Sequence, residues 1–189
     1  MVVWWTPPEP PMPEGGVPRV RWSQLFTPDL LRLYVGVFVL YAVQFATWVS
    51  MPALLVQAGV LQADHGWVYL PTVLLSFVFM GMTLFPMERR GQLRPLFLAC
   101  IAGVMLVQLA LLWVSLGTVQ LWVLAVLLFF FFCGFNVLEA SQPSLASRFA
   151  PRGGRGSALG VYNTLQSLGI FAGGAFGGWL AKGGGTPGL

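Results

Sequence analysis

Five long apolar blocks constrain this chain more than any other feature of its sequence. A helix needs about 20 mostly apolar residues to cross the hydrocarbon layer of a membrane, which is roughly 30 Å thick. Each block has about that length, and short polar segments separate the blocks, as in a bundle of membrane-spanning helices. The predicted spans are Leu33 to Val56, Trp67 to Met87, Leu96 to Leu116, Leu121 to Glu139 and Ala158 to Leu180.

The composition agrees with an all-α integral membrane protein. Charged residues make up 8% of the chain, whereas an average soluble domain contains about 25%. The start, "MVVWWTPPEPP", has no basic region before its short apolar run, so it does not resemble a signal peptide.

Basic residues are distributed very unevenly around the predicted spans. Nine of the ten fall on one side, and Lys182 alone follows the last span on the other side. By the positive-inside rule we expect the N-terminus and the arginine-containing segments in the cytoplasm of a multi-pass protein, in the plasma membrane or a bacterial inner membrane. The same distribution explains the net charge of +4 without nucleic-acid binding. The nine residues are Arg19, Arg21, Arg32, Arg89, Arg90, Arg94, Arg148, Arg152 and Arg155.

Residues 1–28 differ in composition from the rest of the chain. The stretch "TPPEPPMPEGGVP" is rich in proline and predicts an extended cytoplasmic tether. Trp4 and Trp5 before it resemble an interfacial belt at the end of an earlier span. Thr27 as N-cap and Pro28 at the first helical position predict that the first helix begins there.

The remaining chain divides into a helical bundle over residues 29–182 and a flexible end over residues 183–189. Cys100 and Cys133 lie inside spans and are interpreted as apolar fillers. His65 has no second ligand at metal-binding spacing, so we expect an ordinary loop residue. Motifs of hydrolases, metalloproteases and nucleotide-binding loops are absent from the sequence. We therefore expect no enzyme activity, no metal and no cofactor.

Glycines recur on one side of the fifth span. Gly169, Gly173 and Gly177 are spaced by four residues, and Gly174 and Gly178 lie on the flanking row. Such spacing allows the backbones of two membrane helices to approach closely. Static packing and a smooth surface for sliding or rocking are both compatible with it.

The segment "PRGGRGSALGVYNTLQSLGIFAGGAFGGWL" resembles the antiporter motif of major facilitator superfamily transporters. That motif is Gly, eight residues, Gly, three residues, Gly-Pro, two residues, Gly-Gly. Gly174 stands where the proline is expected, and the preceding "RGSALG" resembles the R-G-x-A-x-G helix entry. The matching glycines are Gly160, Gly169, Gly173, Gly177 and Gly178.

Other stretches extend this resemblance over nearly the whole chain. "MERRGQL" is similar to a degraded copy of the superfamily's cytoplasmic loop motif, and "GFNVLEASQPSLASR" with "HGWVYLP" resembles its YajR-type branch of drug-efflux proteins. The resemblance implies a partial C-terminal bundle, helices seven to eleven of twelve, that follows the central loop. It also implies the lipid bilayer, an N-terminal half, a small-molecule substrate and protons as partners.

Glu139 is the only carboxylate inside a predicted span, so it should be paired, protonated or near water. In the superfamily an acid at the inner end of the fourth helix of a half contacts the loop arginine and holds one conformation. The resemblance therefore implies a gate between Glu139 and Arg89 or Arg90. A proton-coupling role and an interfacial position without a role are the alternatives.

Polar and aromatic residues inside the spans are candidates for a substrate cavity. Tyr34, Tyr41 and Trp48 follow one another at seven-residue spacing on the first span, where stacking and cation-π contacts could hold a bulky solute. An aromatic belt at Tyr34 and interhelical hydrogen bonds are the alternative interpretation. The candidate cavity residues are Tyr41, Gln44, Trp48, Asn136, Asn163 and Gln166.

The resemblance implies alternating-access export of a drug-like or small organic solute, coupled to protons. The competing hypothesis is a membrane scaffold or truncated gene product with no transport of its own. A membrane enzyme comes third, because no paired catalytic groups occur in the sequence.

Overall fold

The computed structural model describes residues 21–183, with side chains described for residues 21–180. Every regular element in that part of the chain is helical. Short 3₁₀ turns precede the first and second long helices, at Trp22–Leu25 and Gln62–Asp64. The long helices are α1 (Pro28–Gln57), α2 (His65–Arg89), α3 (Leu93–Ser115), α4 (Leu121–Phe149) and α5 (Arg155–Gly183).

The helix boundaries follow the apolar blocks at most ends and depart from them at one. Helix α1 begins at Pro28 with Thr27 as N-cap, as predicted, although the Thr27 side chain makes no capping hydrogen bond. The predicted fourth span stops at Glu139, whereas α4 continues for ten more residues to Phe149. The extension is polar enough to end an apolar block, but it is still helical and buries Ser141 and Gln142 against the bundle.

The two ends of the chain fall mainly outside the described residues. Of the predicted tether, residues 1–20 with Trp4 and Trp5 are not described, and neither are residues 184–189 of the predicted flexible end. The last part of the tether is not extended, because Trp22–Leu25 forms a 3₁₀ turn whose Leu25 is buried. Gly183 belongs to α5.

Tight turns connect successive helices, and glycine ends two of the helices. Gly59 after α1 and Gly91 after α2 have φ angles of 85° and 70°. The amide of Gln92 donates to the carbonyl of Met87, and that of Gly91 to Glu88. This is the Schellman arrangement, which requires a left-handed residue that glycine adopts without a Cβ clash. The chain therefore reverses direction within a few residues.

The reversals give the bundle two chemically different ends. We call one the basic end, because its helix ends and turns carry Arg89, Arg90, Arg94, Arg148, Arg152 and Arg155. The opposite end carries the exposed indoles of Trp67, Trp113 and Trp122, near the start of α2, the end of α3 and the start of α4. Exposed indoles at helix ends are typical of a membrane interface.

Helix α4 is the centre of the bundle and packs against each of the other four long helices. Its buried face includes Leu124, Leu128, Phe131, Phe135 and Val137. Large apolar side chains on the outer surfaces of α2 and α3 are exposed. Such a surface suits lipid rather than water.

Four helical segments in the described part of the chain are long and apolar enough to cross a membrane. They are Pro28–Gln57, Gln62–Arg89, Leu93–Ser115 and Leu121–Phe149. Helix α5 has 29 residues but does not meet the same hydropathy criterion. Its glycines and polar residues make it less apolar, and it packs along α1 more extensively than any other two helices pack together.

Glycine permits that close α1–α5 contact at three points. A Cβ atom built on Gly169 would lie 2.5 Å from the carbonyl oxygen of Phe38, and one on Gly173 would overlap the carbonyl of Ala42. A Cβ on Gly177 would lie 3.0 Å from the Cα of Ala46.

The contacts advance by four residues on both helices, so α1 and α5 run parallel with their backbones in contact. The predicted close packing at Gly169, Gly173 and Gly177 is thus observed. Gly160, Gly174 and Gly178 differ, because a Cβ on any of them would meet no heavy atom within 4 Å. Gly160 and Gly178 were also predicted as packing glycines, but they make no such contact with the described residues, and their packing role stays a prediction.

Candidate functional site

The predicted intramembrane acid, Glu139 on α4, pairs with a tyrosine on α1. The hydroxyl of Tyr41 donates a hydrogen bond to Glu139 Oε1 at 2.5 Å. Tyr41 is buried, and its ring packs edge-on against Phe135 with the ring centroids 5.7 Å apart. Glu139 is partly buried. A carboxylate inside an apolar bundle needs such a donor, because no water is present in the hydrocarbon core to solvate it.

Further polar side chains surround this pair. Gln166 on α5 lies beside the Tyr41 hydroxyl. Tyr162, one turn earlier on α5, is buried, and its hydroxyl is 3.4 Å from Oε1 of the buried Gln142 on α4. We call Tyr41, Glu139, Gln142, Tyr162 and Gln166 the polar cluster. It joins α1, α4 and α5.

The polar cluster lies deep in the bundle rather than at its basic end. Tyr41 is near the middle of α1. Glu139 precedes Arg148 on α4 by nine residues, which places it about 13 Å further along the helix axis. Arg148 is at the level of Glu88, with which it forms a salt bridge of 3.1 Å.

This depth explains why the predicted ion pair of Glu139 with Arg89 or Arg90 is not formed. Arg89 is the last residue of α2 and Arg90 follows it, so both lie at the basic end. The salt bridges in the described part of the chain are Arg32–Asp29 and Arg148–Glu88. The pair is not formed in this structure, and a role of Glu139 in gating or proton coupling stays a prediction.

An ion pair does join two helices at the basic end, but its acid and its base are on the opposite helices from those in the predicted pair. Glu88 on α2 contributes the acid and Arg148 on α4 the base. Both side chains are about half exposed, at 43% and 58%. Screening by water and salt makes such an exposed pair weak.

The predicted cavity residues do not converge on one cavity within the described residues. Asn136 faces α2, where its side-chain nitrogen donates to the buried Ser76 Oγ at 2.8 Å. The interhelical alternative therefore describes Asn136. Asn163 is exposed, and Gln44 is half-buried.

Two small pockets occur in the described bundle, and one of them borders a predicted cavity residue. Trp48 stacks on Tyr69 with centroids 5.8 Å apart and borders a pocket of about 10 Å³. A second cavity of about 80 Å³ lies at the basic end. Known small-molecule pockets are about 300–1,000 Å³, so neither would enclose a drug-like solute.

The side-chain positions of Tyr34 and His65 differ from those predicted. Tyr34 is 1% exposed, with its hydroxyl 3.4 Å from the carbonyl of Ala158, so the interfacial-belt alternative is wrong for it. His65 begins α2 and is buried, rather than being an ordinary loop residue, and its Nε2 has no hydrogen-bond partner in the described structure. A group of three or more metal-ligating side chains is not found among residues 21–180.

Sequence reasoning missed Gln142, Tyr162 and Ser76. Gln142 follows Glu139 by three residues, and Tyr162 precedes Gln166 by four, so helical spacing places each beside a residue already chosen. That spacing was the available signal. Ser76 carries no comparable signal, because its partner is on another helix.

Comparison with known proteins identifies the family. The family model described as Major Facilitator Superfamily matches residues 1–174. The chain belongs to the major facilitator superfamily. The fold class predicted from the sequence, a helical bundle of this superfamily, is thereby confirmed.

Two relatives carry names of transporters. The chain is 36% identical over 168 residues to the inner membrane transport protein YajR of Escherichia coli, covering 88% of this chain and 36% of the relative. It is 33% identical over 142 residues to an uncharacterized transporter of Buchnera aphidicola, covering 75% of this chain and 36% of the relative. No solved structure matches the chain at a comparable level of similarity.

The chain therefore spans about a third of the length of these curated relatives. Its family and its apolar helices make it a multi-pass membrane protein of a transporter family. That family points away from enzymatic catalysis.

Proposed function

We propose that this chain forms part of a proton-coupled secondary transporter, the partial C-terminal bundle comprising helices seven to eleven. The proposed partners are the bilayer, an N-terminal half, protons, and a small organic or drug-like solute that is exported by alternating access. The proposed location is the plasma membrane or a bacterial inner membrane with the basic end in the cytoplasm. The observation that carries the coupling proposal is the Tyr41–Glu139 hydrogen bond within a polar cluster shared by three helices.

Ionisable side chains inside a membrane bundle are costly and usually functional. A charge at the centre of a span costs at least about 2.5–3.5 kcal/mol, and a packing role alone would be filled at lower cost by an apolar residue. Glu139 lies beside a tyrosine hydroxyl, which can donate to the ionised carboxylate or accept from the protonated carboxyl. This arrangement suits a group that gains and loses a proton.

Protonation of Glu139 changes which hydrogen bonds the polar cluster can make. The ionised carboxylate can only accept, and it accepts a hydrogen bond from the Tyr41 hydroxyl. The protonated carboxyl gains an O–H donor, and the Tyr41 oxygen can then accept instead of donating. Because the partners are on α1, α4 and α5, a change of protonation alters contacts between helices. At its three glycine contacts with α1, helix α5 places no side chain of its own between the two backbones that would obstruct a relative movement.

Transport should be tested on the complete reading frame that contains this chain. The protein would be placed in inverted membrane vesicles, and accumulation of a panel of lipophilic and cationic dyes inside the vesicles measured with and without a proton gradient. We expect gradient-dependent accumulation of at least one dye. Glu139→Gln should abolish the gradient dependence, because a neutral amide cannot carry the proton.

Glu88→Gln is the matched control, since Glu88 is a partly exposed carboxylate at the basic end of the same bundle. It should leave gradient dependence in place. If Glu139→Gln behaves like Glu88→Gln, the coupling role fails. If no substrate moves and the reading frame encodes no further spans, the scaffold alternative is supported instead.

A further inference from the structure

The cavity at the basic end lies between the ends of α2, α3 and α4 and has both apolar and polar walls. Its volume is about 80 Å³. Leucine and alanine side chains form the apolar part of the wall. The residues lining it are Leu84, Glu88, Leu93, Ala140, Ser141, Ser144, Leu145 and Arg148.

Arg148 lines this cavity, and three further arginines are close in sequence to residues that line it. Glu88 and Leu93 line it, and the turn between them contains Arg89 and Arg90, while Arg94 follows Leu93 directly. Glu88 is the only acid among the lining residues, and it already accepts from Arg148 at 3.1 Å. No carboxylate of the described residues forms a salt bridge with Arg89, Arg90 or Arg94. The residues at and next to the cavity wall in the sequence therefore carry a net positive charge.

We propose that this cavity and its arginines bind the phosphate headgroup of an anionic phospholipid from the adjoining leaflet. Guanidinium groups bind phosphate oxygens in a bidentate manner, and Arg148 uses one nitrogen on Glu88 and has others to donate. Ser144 lines the cavity and makes no side-chain hydrogen bond within the described structure, so its hydroxyl is available to a headgroup oxygen.

A lipid fits the position better than a soluble phosphate ligand does. The cavity lies at the end of membrane-spanning helices, where headgroups are found. Phe85 and Leu98, on the same ends of α2 and α3, are 58% and 68% exposed. They give acyl chains an apolar surface next to the charged rim. Basic pockets between membrane helices bind anionic headgroups in this way.

The test is native mass spectrometry of the detergent-purified protein titrated with phosphatidylglycerol, with phosphatidylcholine as competitor. We expect phosphatidylglycerol to be retained in preference. Arg89→Gln with Arg90→Gln should weaken its binding by about fivefold for each arginine removed. Ser144→Leu should also weaken binding, because the larger side chain fills the cavity without changing any charge.

Arg152→Gln with Arg155→Gln is the matched control, since it removes two arginines at the same end that are outside the turn between the lining residues Glu88 and Leu93. An equal loss in this control, or equal retention of phosphatidylcholine, would show only general surface attraction and overturn the proposal. Displacement of the lipid by glycerol phosphate at equal concentration would point to a soluble ligand and also overturn it. Circular dichroism checks each variant's folding, and if Ser144→Leu fails to fold, the two arginine pairs decide the outcome.

Discussion

The hydroxyl of Tyr41 on α1 donates a 2.5 Å hydrogen bond to the carboxylate of Glu139 on α4. The two residues are 98 positions apart in the chain. Their contact joins the central helix of the bundle to the helix against which α5 packs. The same atoms therefore contribute to the packing of the bundle and to its proposed chemistry, and the two contributions can be measured separately.

Removal of the Tyr41 hydroxyl should reduce stability by a modest amount. Interhelical hydrogen bonds in membranes contribute about 0.6 kcal/mol on average and up to about 1.7 kcal/mol. We expect the loss in Tyr41→Phe to lie toward the upper value, since Glu139 accepts no other side-chain hydrogen bond within the described residues. Unfolding in mixed detergent micelles measures the change in free energy.

A double-mutant cycle with Glu139→Gln isolates the pair itself. The coupling energy should differ clearly from zero. Tyr69→Phe is the matched control, because Tyr69 packs through its ring on Trp48 and its hydroxyl makes no hydrogen bond in the described structure. A loss in Tyr69→Phe as large as that in Tyr41→Phe would contradict the assignment.

Gly173→Ala should separate α1 from α5, whereas Gly174→Ala should be tolerated. The new methyl group at position 173 would overlap the Ala42 backbone, which cannot rotate away as a side chain can. Forcing an extra methyl into a packed contact costs about 1–3 kcal/mol. At position 174 the methyl meets nothing within 4 Å, and alanine favours the helix by about 1 kcal/mol. Thermal unfolding in detergent compares the two neighbours, and equal effects would refute the close backbone contact.

The apolar blocks and the glycine spacing could be read from the sequence because each depends on one helix. A span of apolar residues meets the thickness of a membrane whatever its neighbours are. Gly169, Gly173 and Gly177 share one face by helical period alone, although only the structure identifies Phe38, Ala42 and Ala46 as their partners.

The partners of polar residues could not be read in the same way. The position of Glu139 in the sequence gives its depth on α4 but not the relative rotation of the helices. The structure turns it toward Tyr41 and away from Arg89, and it turns Asn136 toward Ser76. The predicted fourth span ended too early at Glu139, because the residues that follow are more polar but do not end the helix.

Ser76→Ala should destabilise the bundle more than a double variant that removes both the Ser76 hydroxyl and the Asn136 amide. Ser76 is 0% exposed and its hydroxyl accepts from Asn136. The alanine would leave a buried amide group unsatisfied, at a cost of about 1–3 kcal/mol.

Replacing Asn136 by leucine in the same protein removes the unsatisfied group, so the double variant should recover part of the loss. Chemical unfolding of the single and double variants measures this recovery. Thr83→Ala is the matched control on α2, because its hydroxyl bonds only its own helix backbone. Additive losses in the double variant would count against the Asn136–Ser76 bond.

The salt bridge between Glu88 and Arg148 should affect stability little when it is simply removed. Both side chains are about half exposed, and exposed pairs contribute about 0–1 kcal/mol.

Glu88→Arg is a stronger test, because it places a new positive charge beside Arg148, Arg89 and Arg90. We expect it to lower the unfolding temperature at low salt. Adding Arg148→Glu should restore it by re-forming the pair with reversed charges. Both differences should shrink at about 1 M salt, where the screening length falls to about 3 Å. A loss in Glu88→Arg that neither Arg148→Glu nor salt relieves would show that position 88 acts through packing around the cavity instead of through charge.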